Sequence, residues 1–369
     1  MIYLINKIYH IMRSMKILSI YLPGFHRDKI NDKAWGEGFT EWDNVRNGKK
    51  IFKNHYQPLE PIDDNYYDLS DVNNIRKQID IAKKYNIDGF IFYHYWFGND
   101  VQALSKPAEL LKNQINDKIE YCFCWANHNW IKNWHGKNSE MIVKQEYGDL
   151  DEWKKHYKYL SEFFKDSRYI KIDNKPVIYL YNSQDIKCIN DMMECWNELA
   201  VKDGFSGIYV VEYISSRNKS VNYSKTNAVM EFEPLYTTFF DINMFNKIKR
   251  FICKKLKMID YQDYDYLWNK ILTRKRTYDG RVIQKSCFSA WDNSARKGHN
   301  AMIVKNVSPE KFGKNFEKLV LSERKDATSE YIIINAWNEW SEGAILEPTK
   351  KDKYKFLEQI KRVKEKYDK

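Results

Sequence analysis

The run from Asn335 to Gly343 reads NAWNEWSEG and follows a strand-like segment whose isoleucines, Ile332, Ile333 and Ile334, read as core. It carries two carboxylates three positions apart, Glu339 and Glu342. An unpaired buried carboxylate is costly, so a core strand should not end on two of them unless something uses them. In a strand-end turn, side chains at i and i+3 can stand on opposite sides of a small substrate. Chemistry at a glycosidic bond asks for that arrangement. One group hands a proton to the departing oxygen, and the other serves as base, nucleophile or charge stabiliser. Glu339 and Glu342 are therefore the candidate catalytic residues. Trp337 and Trp340 offer faces on which a sugar can stack, and Asn338 can hydrogen-bond a hydroxyl. The competing reading is that the glutamates cap a helix or pair with surface lysines.

The elements that must position this turn follow from the apolar pattern. Strand-like runs fall at about 16–26, 88–96, 120–127, 176–182, 207–214, 228–234, 282–291 and 331–337. Helical patterns follow most of them, at about 69–85, 106–115, 150–165, 189–202, 309–321 and 353–366. The connection at about 215–227 has no clear helix. Repeated strand–helix alternation points to parallel strands joined by right-handed crossovers. Eight repeats predict an α/β fold, a (β/α)8 TIM-type barrel with loop insertions, over an open doubly wound sheet. No GxGxxG follows any strand, which argues against a dinucleotide fold. Residues 15–369 read as one barrel domain, with an insertion at about 236–278. Only 14 Gly and 8 Pro are present, and no Gly/Ser- or Pro-rich linker divides the chain.

Active sites of such barrels lie at the C-terminal ends of the strands. Gathered there are His26 from the first strand and His94, Tyr95 and Trp96 from the second. Trp125, Asn127 and His128 come from the third, Tyr181 from the fourth and Glu212 from the fifth. Glu231 belongs to the sixth, Trp291 and Asp292 to the seventh. With Trp337, Asn338 and Trp340 these are the candidate substrate-binding residues. For His26, His94 and His128 a metal-ligand role is the alternative, but the tight spacing and carboxylate companions of a three-histidine site are missing. Glu212, Glu231 and Glu233 have a structural alternative, pairing with lysine or arginine. No metal and no cofactor are expected.

The net charge of +11 suits nucleic acid, an anionic membrane surface or an acidic substrate, or reflects a lysine-rich proteome. No basic block is interleaved with a nucleic-acid motif, so no nucleic-acid partner is expected. The stretch from Lys247 to Lys257 (KIKRFICKKLK) is basic and amphipathic. It reads either as a solvated helix face or as a peripheral contact with anionic lipid. The six cysteines form no CxxC pair and no disulfide framework, which suits a reducing compartment. Residues 1–14 lack a clean signal-peptide core and a cleavage site, and Met15, just before the first strand, is the expected true start. Nothing approaches the ~20 consecutive apolar residues of a membrane span. The expected location is cytoplasmic, with the inner membrane as a peripheral station.

Several longer motifs carry a family resemblance. They are Ile20 to His26 (IYLPGFH), Trp35 to Trp42 (WGEGFTEW), His55 to Pro58 (HYQP), Gly89 to Phe97 (GFIFYHYWF), Cys124 to Trp130 (CWANHNW) and Asn335 to Gly343. Together the chain, from about residue 16 to 365, resembles the WbsX family of polysaccharide-biosynthesis proteins. That family is in turn similar to glycoside hydrolase family 99, the endo-acting α-mannosidases. The resemblance implies a (β/α)8 barrel with a metal-free site. It implies that Glu339 assists the sugar's own 2-hydroxyl as nucleophile, through an anhydro-sugar intermediate, and that Glu342 is the general acid and then base. His94, Tyr95, Trp96, Trp125 and Asn127 would line the sugar site.

Three functions follow as alternatives. The first is glycosyl transfer in bacterial surface polysaccharide (O-antigen or capsule) assembly, on an oligosaccharide or lipid-linked glycan. The second is endo-acting retaining glycoside hydrolysis, α-mannosidase-like, by the same glutamates. The third is a non-catalytic glycan-binding barrel. A nucleotide-sugar transferase would instead lean on a DxD metal site, for which Asp263-Tyr-Asp265 has the spacing. The sequence leaves the oligomeric state open.

Overall fold

The computed structural model describes residues 14–133, 139–326 and 329–367. The expected overhang, residues 1–14, lies outside them except for Ser14. Eight parallel strands close on themselves: β1 Lys16–Tyr21, β2 Gly89–Gly98, β3 Glu120–Trp125, β4 Lys175–Leu180, β5 Tyr209–Ile214, β6 Ala228–Glu231, β7 Val282–Phe288 and β8 Tyr331–Asn335. Each pairs with its sequence neighbours. Closure comes from β1, which pairs with β8 (Lys16 opposite Tyr331) and with β2 (Leu18 opposite Gly89). The expected (β/α)8 barrel is the observed fold. Gly89 sits where strands crowd: a Cβ there would stand 2.5 Å from the Glu120 carbonyl oxygen.

The barrel is filled rather than hollow. Tyr179 on β4 donates to Gln284 Oε1 on β7 at 2.6 Å. These strands are three apart in the sheet, so the bond crosses the interior. Around it run α1 Val72–Lys84, α2 Lys106–Gln114, α3 Leu150–Phe164, α4 Ile189–Lys202, α5 Met244–Lys255, α6 Tyr264–Thr273, α7 Pro309–Asp326 and α8 Lys355–Tyr367. Helix α1 shows why they form. Asp71 caps it by accepting from Asn73 N–H, and its buried residues Ile75, Gln78, Ile79 and Ala82 fall on one stripe.

Between β5 and β6 no helix forms among the described residues. The loop 215–227 wraps instead around the buried carboxylate of Glu212. That carboxylate accepts from the backbone N–H of Asn222 and Tyr223 at 2.9 and 3.0 Å, and from the Ser183 and Thr226 hydroxyls. Its oxygens satisfy backbone donors of the loop that would otherwise be buried alone.

The insertion at 236–278 holds α5, the strand Asp260–Asp263 and α6. That strand pairs in parallel with Met302–Lys305, beyond β7. Buried Arg274 ties the insertion to β6, contacting Glu231 at 2.5 Å, Glu233 at 2.7 Å and Asp241 at 2.5 Å. No helix among the described residues is long and apolar enough to cross a membrane.

Candidate active site

Past β8 the chain turns sharply. Asn338–Glu339 pairs antiparallel with Ala344–Ile345, and Trp340–Glu342 forms a single 3-10 turn between them. Gly343 closes the turn at φ 63°, and a Cβ on it would meet the Asp292 backbone nitrogen at 2.9 Å. Both the left-handed conformation and the close approach require glycine.

Several of the conspicuous residues around the glutamates hold this turn in place. Asn338 is fully buried; its Oδ1 accepts from Leu22 N–H at 2.7 Å and its Nδ2 donates to Leu22 C=O at 2.9 Å, pinning the turn to the end of β1. Beneath it lies the buried Glu347, which accepts from Trp340 Nε1 at 2.6 Å, Tyr67 Oη at 2.7 Å and Gln78 Nε2 at 2.8 Å. Burial outweighs these donors and pushes the Glu347 carboxyl up to about 7. Trp337 packs edge-on against Phe90, and Trp340 lies tilted against Trp42. Asp292 donates its backbone N–H to Glu342 C=O at 2.8 Å, while its carboxylate takes His55 at 2.7 Å and Gln57 at 3.2 Å. Trp291, beside it, is buried.

The turn leaves Glu339 and Glu342 interacting electrostatically at the C-terminal rim of the barrel. Burial, and then Glu342, hold the Glu339 carboxyl well above the usual carboxylate range; Arg296 pulls it down and Glu41 adds to the rise. Glu342 Oε1 stands 3.0 Å from Arg296 Nη1. Glu342, Glu41 and Glu339 raise the half-exposed Arg296 guanidinium above its ordinary value. Glu41 comes from the short helix Glu41–Arg46 and accepts from Ser341 Oγ at 3.1 Å, which joins it to the turn. Tyr93 and Tyr95 on β2 are held well above the ordinary tyrosine value by burial and by Glu339. Tyr181 beyond β4 is pushed up to about 12, by burial, Glu342, Cys124 and Glu339 against the pull of Arg217. His128, 5.5 Å ring to ring from Tyr181, is lowered to about 4 by burial, Arg217 and Arg296. A buried acid that favours its proton, beside a second carboxylate and a guanidinium, can take a proton from one atom of a ligand and deliver one to another.

The structure thus brings Tyr95, Tyr181 and His128 to the glutamates and turns other candidates away. His94 and Trp96 point outward from β2: His94 meets His156 of α3 at 2.9 Å (Nε2 to Nε2), and Trp96 stacks on His156. Burial lowers His94 to about 3. Trp125 faces the same layer, against His156 and Trp196. Asn127 donates to Asn182 C=O at 2.7 Å and accepts from Asn182 N–H at 2.9 Å, tying the ends of β3 and β4 together. His26 holds the Pro23 carbonyl at 2.8 Å near Asp28 and Asp68. Glu212 and Glu231 serve the loop and the insertion described above. Against the expectation that all of these gather at one site, the structure spends these side chains on the contacts just named; within the strands, successive residues point to opposite faces. Trp337, Asn338, Trp340 and Asp292 brace the turn through the contacts given above, and Trp291 is buried beside Asp292.

Five residues at this mouth were not singled out from the sequence: Tyr93, Glu41, Arg296, Arg217 and Lys297. Tyr93 was findable, lying two positions before Tyr95 and therefore on the same face. Asp263 of the DxD spacing caps α6, and Asp265 pairs with Lys311 at 2.6 Å. Among the described residues no group of three or more His, Cys, Asp or Glu side chains is placed to hold a metal ion. An open groove of about 570 Å³ lies at the opposite end of the barrel, between α4 and the starts of β4 to β6. Its Lys175, Glu194, Gly207 and Asn227 are remote from the glutamates.

The eight parallel strands and the helices around them define the class of fold, a (β/α)8 barrel. More specifically, the chain belongs to the glycosyltransferase WbsX family, which residues 17–360 match. An uncharacterized protein named WxcX from Xanthomonas campestris pv. campestris (strain B100) is 25% identical over 346 residues, 93% of this chain. The chain spans about half of that relative's length, 48%. Among solved structures, one described as a glycoside hydrolase-like protein has a TM-score of 0.59 at 13% identity, covering 95% of this chain and 94% of its own. The GH99 endo-alpha-mannosidase from Bacteroides thetaiotaomicron, solved with BIS-TRIS-Propane, has a TM-score of 0.52 at 15% identity, covering 95% and 96%. At such identities the likeness establishes a shared barrel fold.

Proposed function

We propose that the chain forms or opens a glycosidic bond with Glu339 and Glu342, and that its reaction is glycosyl transfer in surface polysaccharide assembly. The observation that carries this reading is a carboxylate pair at the start and end of one tight turn at the barrel rim, with Arg296 on Glu342 and tyrosines beside Glu339. In the free chain the raised Glu339 carboxyl favours the proton, so the reaction begins once that proton has passed from Glu339 to Glu342, which leaves Glu339 a strong base. It accepts the proton of the sugar's 2-hydroxyl as that oxygen attacks C1. Glu342, the more exposed of the two, gives its proton to the departing oxygen. An acceptor hydroxyl then reopens the anhydro-sugar at C1, yields its proton to Glu342, and Glu339 returns the first proton to the 2-oxygen. Water in place of the acceptor gives hydrolysis by the same steps. A lipid-linked glycan is the substrate we favour, and the cytoplasm, at the inner membrane, the location; six free cysteines support the latter.

The test is turnover of lipid-linked glycan intermediates and α-linked oligosaccharides by the native chain and by Glu339→Gln and Glu342→Gln. Each substitution should lower turnover by ~10² or more, the usual scale for a lost acid or base. Running the reaction in ¹⁸O-water separates the two outcomes, since only hydrolysis labels the new reducing end. Full activity in both variants would leave the pair without a role, and a requirement for Mn²⁺ with a nucleotide sugar would move the chemistry elsewhere.

A further inference from the structure

Helix α5 is mounted the wrong way round for a helix of a water-facing surface. Its barrel side is polar: Lys249 Nζ donates to Tyr261 C=O at 2.8 Å, and Arg250 Nε meets Asp260 Oδ2 at 2.7 Å. Of its residues only Cys253 is buried. Its outward side is apolar. Met244, Phe245, Ile248, Phe251 and Ile252 fall at i, i+1, i+4, i+7 and i+8, one stripe of a helix. Phe245 is 75% exposed, Met244 70%, Phe251 67% and Leu256, at the helix exit, 61%. Contiguous exposed apolar surface of this kind marks a docking face.

Charge chooses the occupant. From Met244 to Met258 there are six cations and no acid. Among the described residues none of Lys247, Lys254, Lys255 and Lys257 has an acidic partner. An apolar protein groove would satisfy the stripe and leave these lysines idle. An anionic bilayer satisfies both, the stripe entering the acyl boundary and the lysines reaching up to the headgroups along their aliphatic stems. Lys249 of α5 holds Tyr261, whose strand pairs with Met302–Lys305, and Ile303 there bridges Asp292, which holds the Glu342 carbonyl; the helix therefore shares the side of the barrel that carries the glutamate turn.

We propose that α5 is a membrane-docking helix that seats the chain on anionic lipid with its mouth at the headgroup layer. The inference does not depend on the reaction proposed above, because it rests on the helix alone. Flotation of the full chain with phosphatidylglycerol-containing vesicles, against vesicles of phosphatidylcholine alone, tests it. The native chain should float with the anionic vesicles, less so as salt rises, and poorly with the neutral ones. Phe245→Glu with Phe251→Glu should weaken binding by more than about tenfold. Replacing Lys254, Lys255 and Lys257 by Gln should cost about fivefold per lysine. All these side chains are exposed, so an unchanged melting temperature certifies the variants as folded. Failure of the native chain to float, or equal flotation of native and Phe→Glu chains, overturns the proposal. So does a concentration-dependent dimer that Phe245→Glu with Phe251→Glu abolishes while vesicles are ignored, which would give the face to a second copy.

Discussion

Asn338 sits one residue before Glu339 and has two incompatible job descriptions. From the sequence it is a sugar ligand; in the structure both ends of its amide are spent on Leu22. Asn338→Ala separates them. The substitution removes two hydrogen bonds worth ~1 kcal/mol each, and it strands a backbone N–H and C=O of Leu22, itself buried, at ~1–3 kcal/mol apiece where water cannot reach them. Partial relaxation brings the expected loss to about 3 kcal/mol. Unfolding entropy of ~2.1 cal/mol/K per residue gives ~0.8 kcal/mol/K for a chain of this size, so the melting temperature should fall by about 4 °C. Because the same bonds fix the turn that carries Glu339, turnover should fall too; a displacement of ~1 Å at a reacting group costs ~10²-fold. Calorimetry and kinetics on the same preparation decide. A melting temperature within about 1 °C of native, with KM raised and kcat kept, would show an amide that holds substrate and refute the bracing role.

Other consequences are equally direct. Arg274→Met should destabilise by ~3–5 kcal/mol by calorimetry, because it leaves Glu233 buried without its cation and Glu231 with Lys285 alone, at 3.7 Å. Burial already holds Glu233 above its ordinary value, so the penalty should be larger at pH 8, where the carboxylates must be charged, than at pH 5. Glu347, at about 7 in the folded chain against ~4.3 unfolded, keeps a proton that the unfolded chain has lost across that window. Its contribution to stability therefore falls as pH rises, by about 3 kcal/mol between pH 5 and pH 8, and levels off above 7. Glu347→Gln should flatten that slope in urea titrations; an unaltered slope would assign it to other groups.

The barrel was legible because its signal is repeated. Eight apolar runs with intervening helical stripes leave few topologies, and helices such as α4, read at 189–202, lie where their periodicity puts them. The 215–227 connection also read correctly as lacking a helix, although the reason, a loop folded around Glu212, was invisible without coordinates. What could not be read was strand phase. A parallel barrel strand is buried on both faces, so its sequence does not alternate. The run GFIFYHYWFG of β2 is buried from end to end. Nothing in it says that Tyr93 and Tyr95 look toward Glu339 while His94 and Trp96 look toward α3. The same ambiguity placed Trp125, Glu212 and Glu231 among the site candidates, one position away from the inward-facing Cys124, Tyr213 and Phe232.

Phase also explains the composition of the glutamate motif. A catalytic turn must hold its acids against their mutual repulsion and against the cost of burying them, so most of its residues have to be scaffold. Asn338 grips β1, Trp340 reaches Glu347, Ser341 joins Glu41, and Gly343 lets the chain pass Asp292. Glu339 and Glu342 are the residues of that turn whose carboxylates brace nothing within it, with Arg296 as their counter-charge, and the proposed function assigns them to the ligand. A motif in which nearly every side chain is already engaged is therefore a better guide to where a site is than to which of its residues touch substrate. The uncommitted groups at the mouth, found by following the inward face of each strand, are the ones whose substitution should alter catalysis while leaving the melting temperature alone.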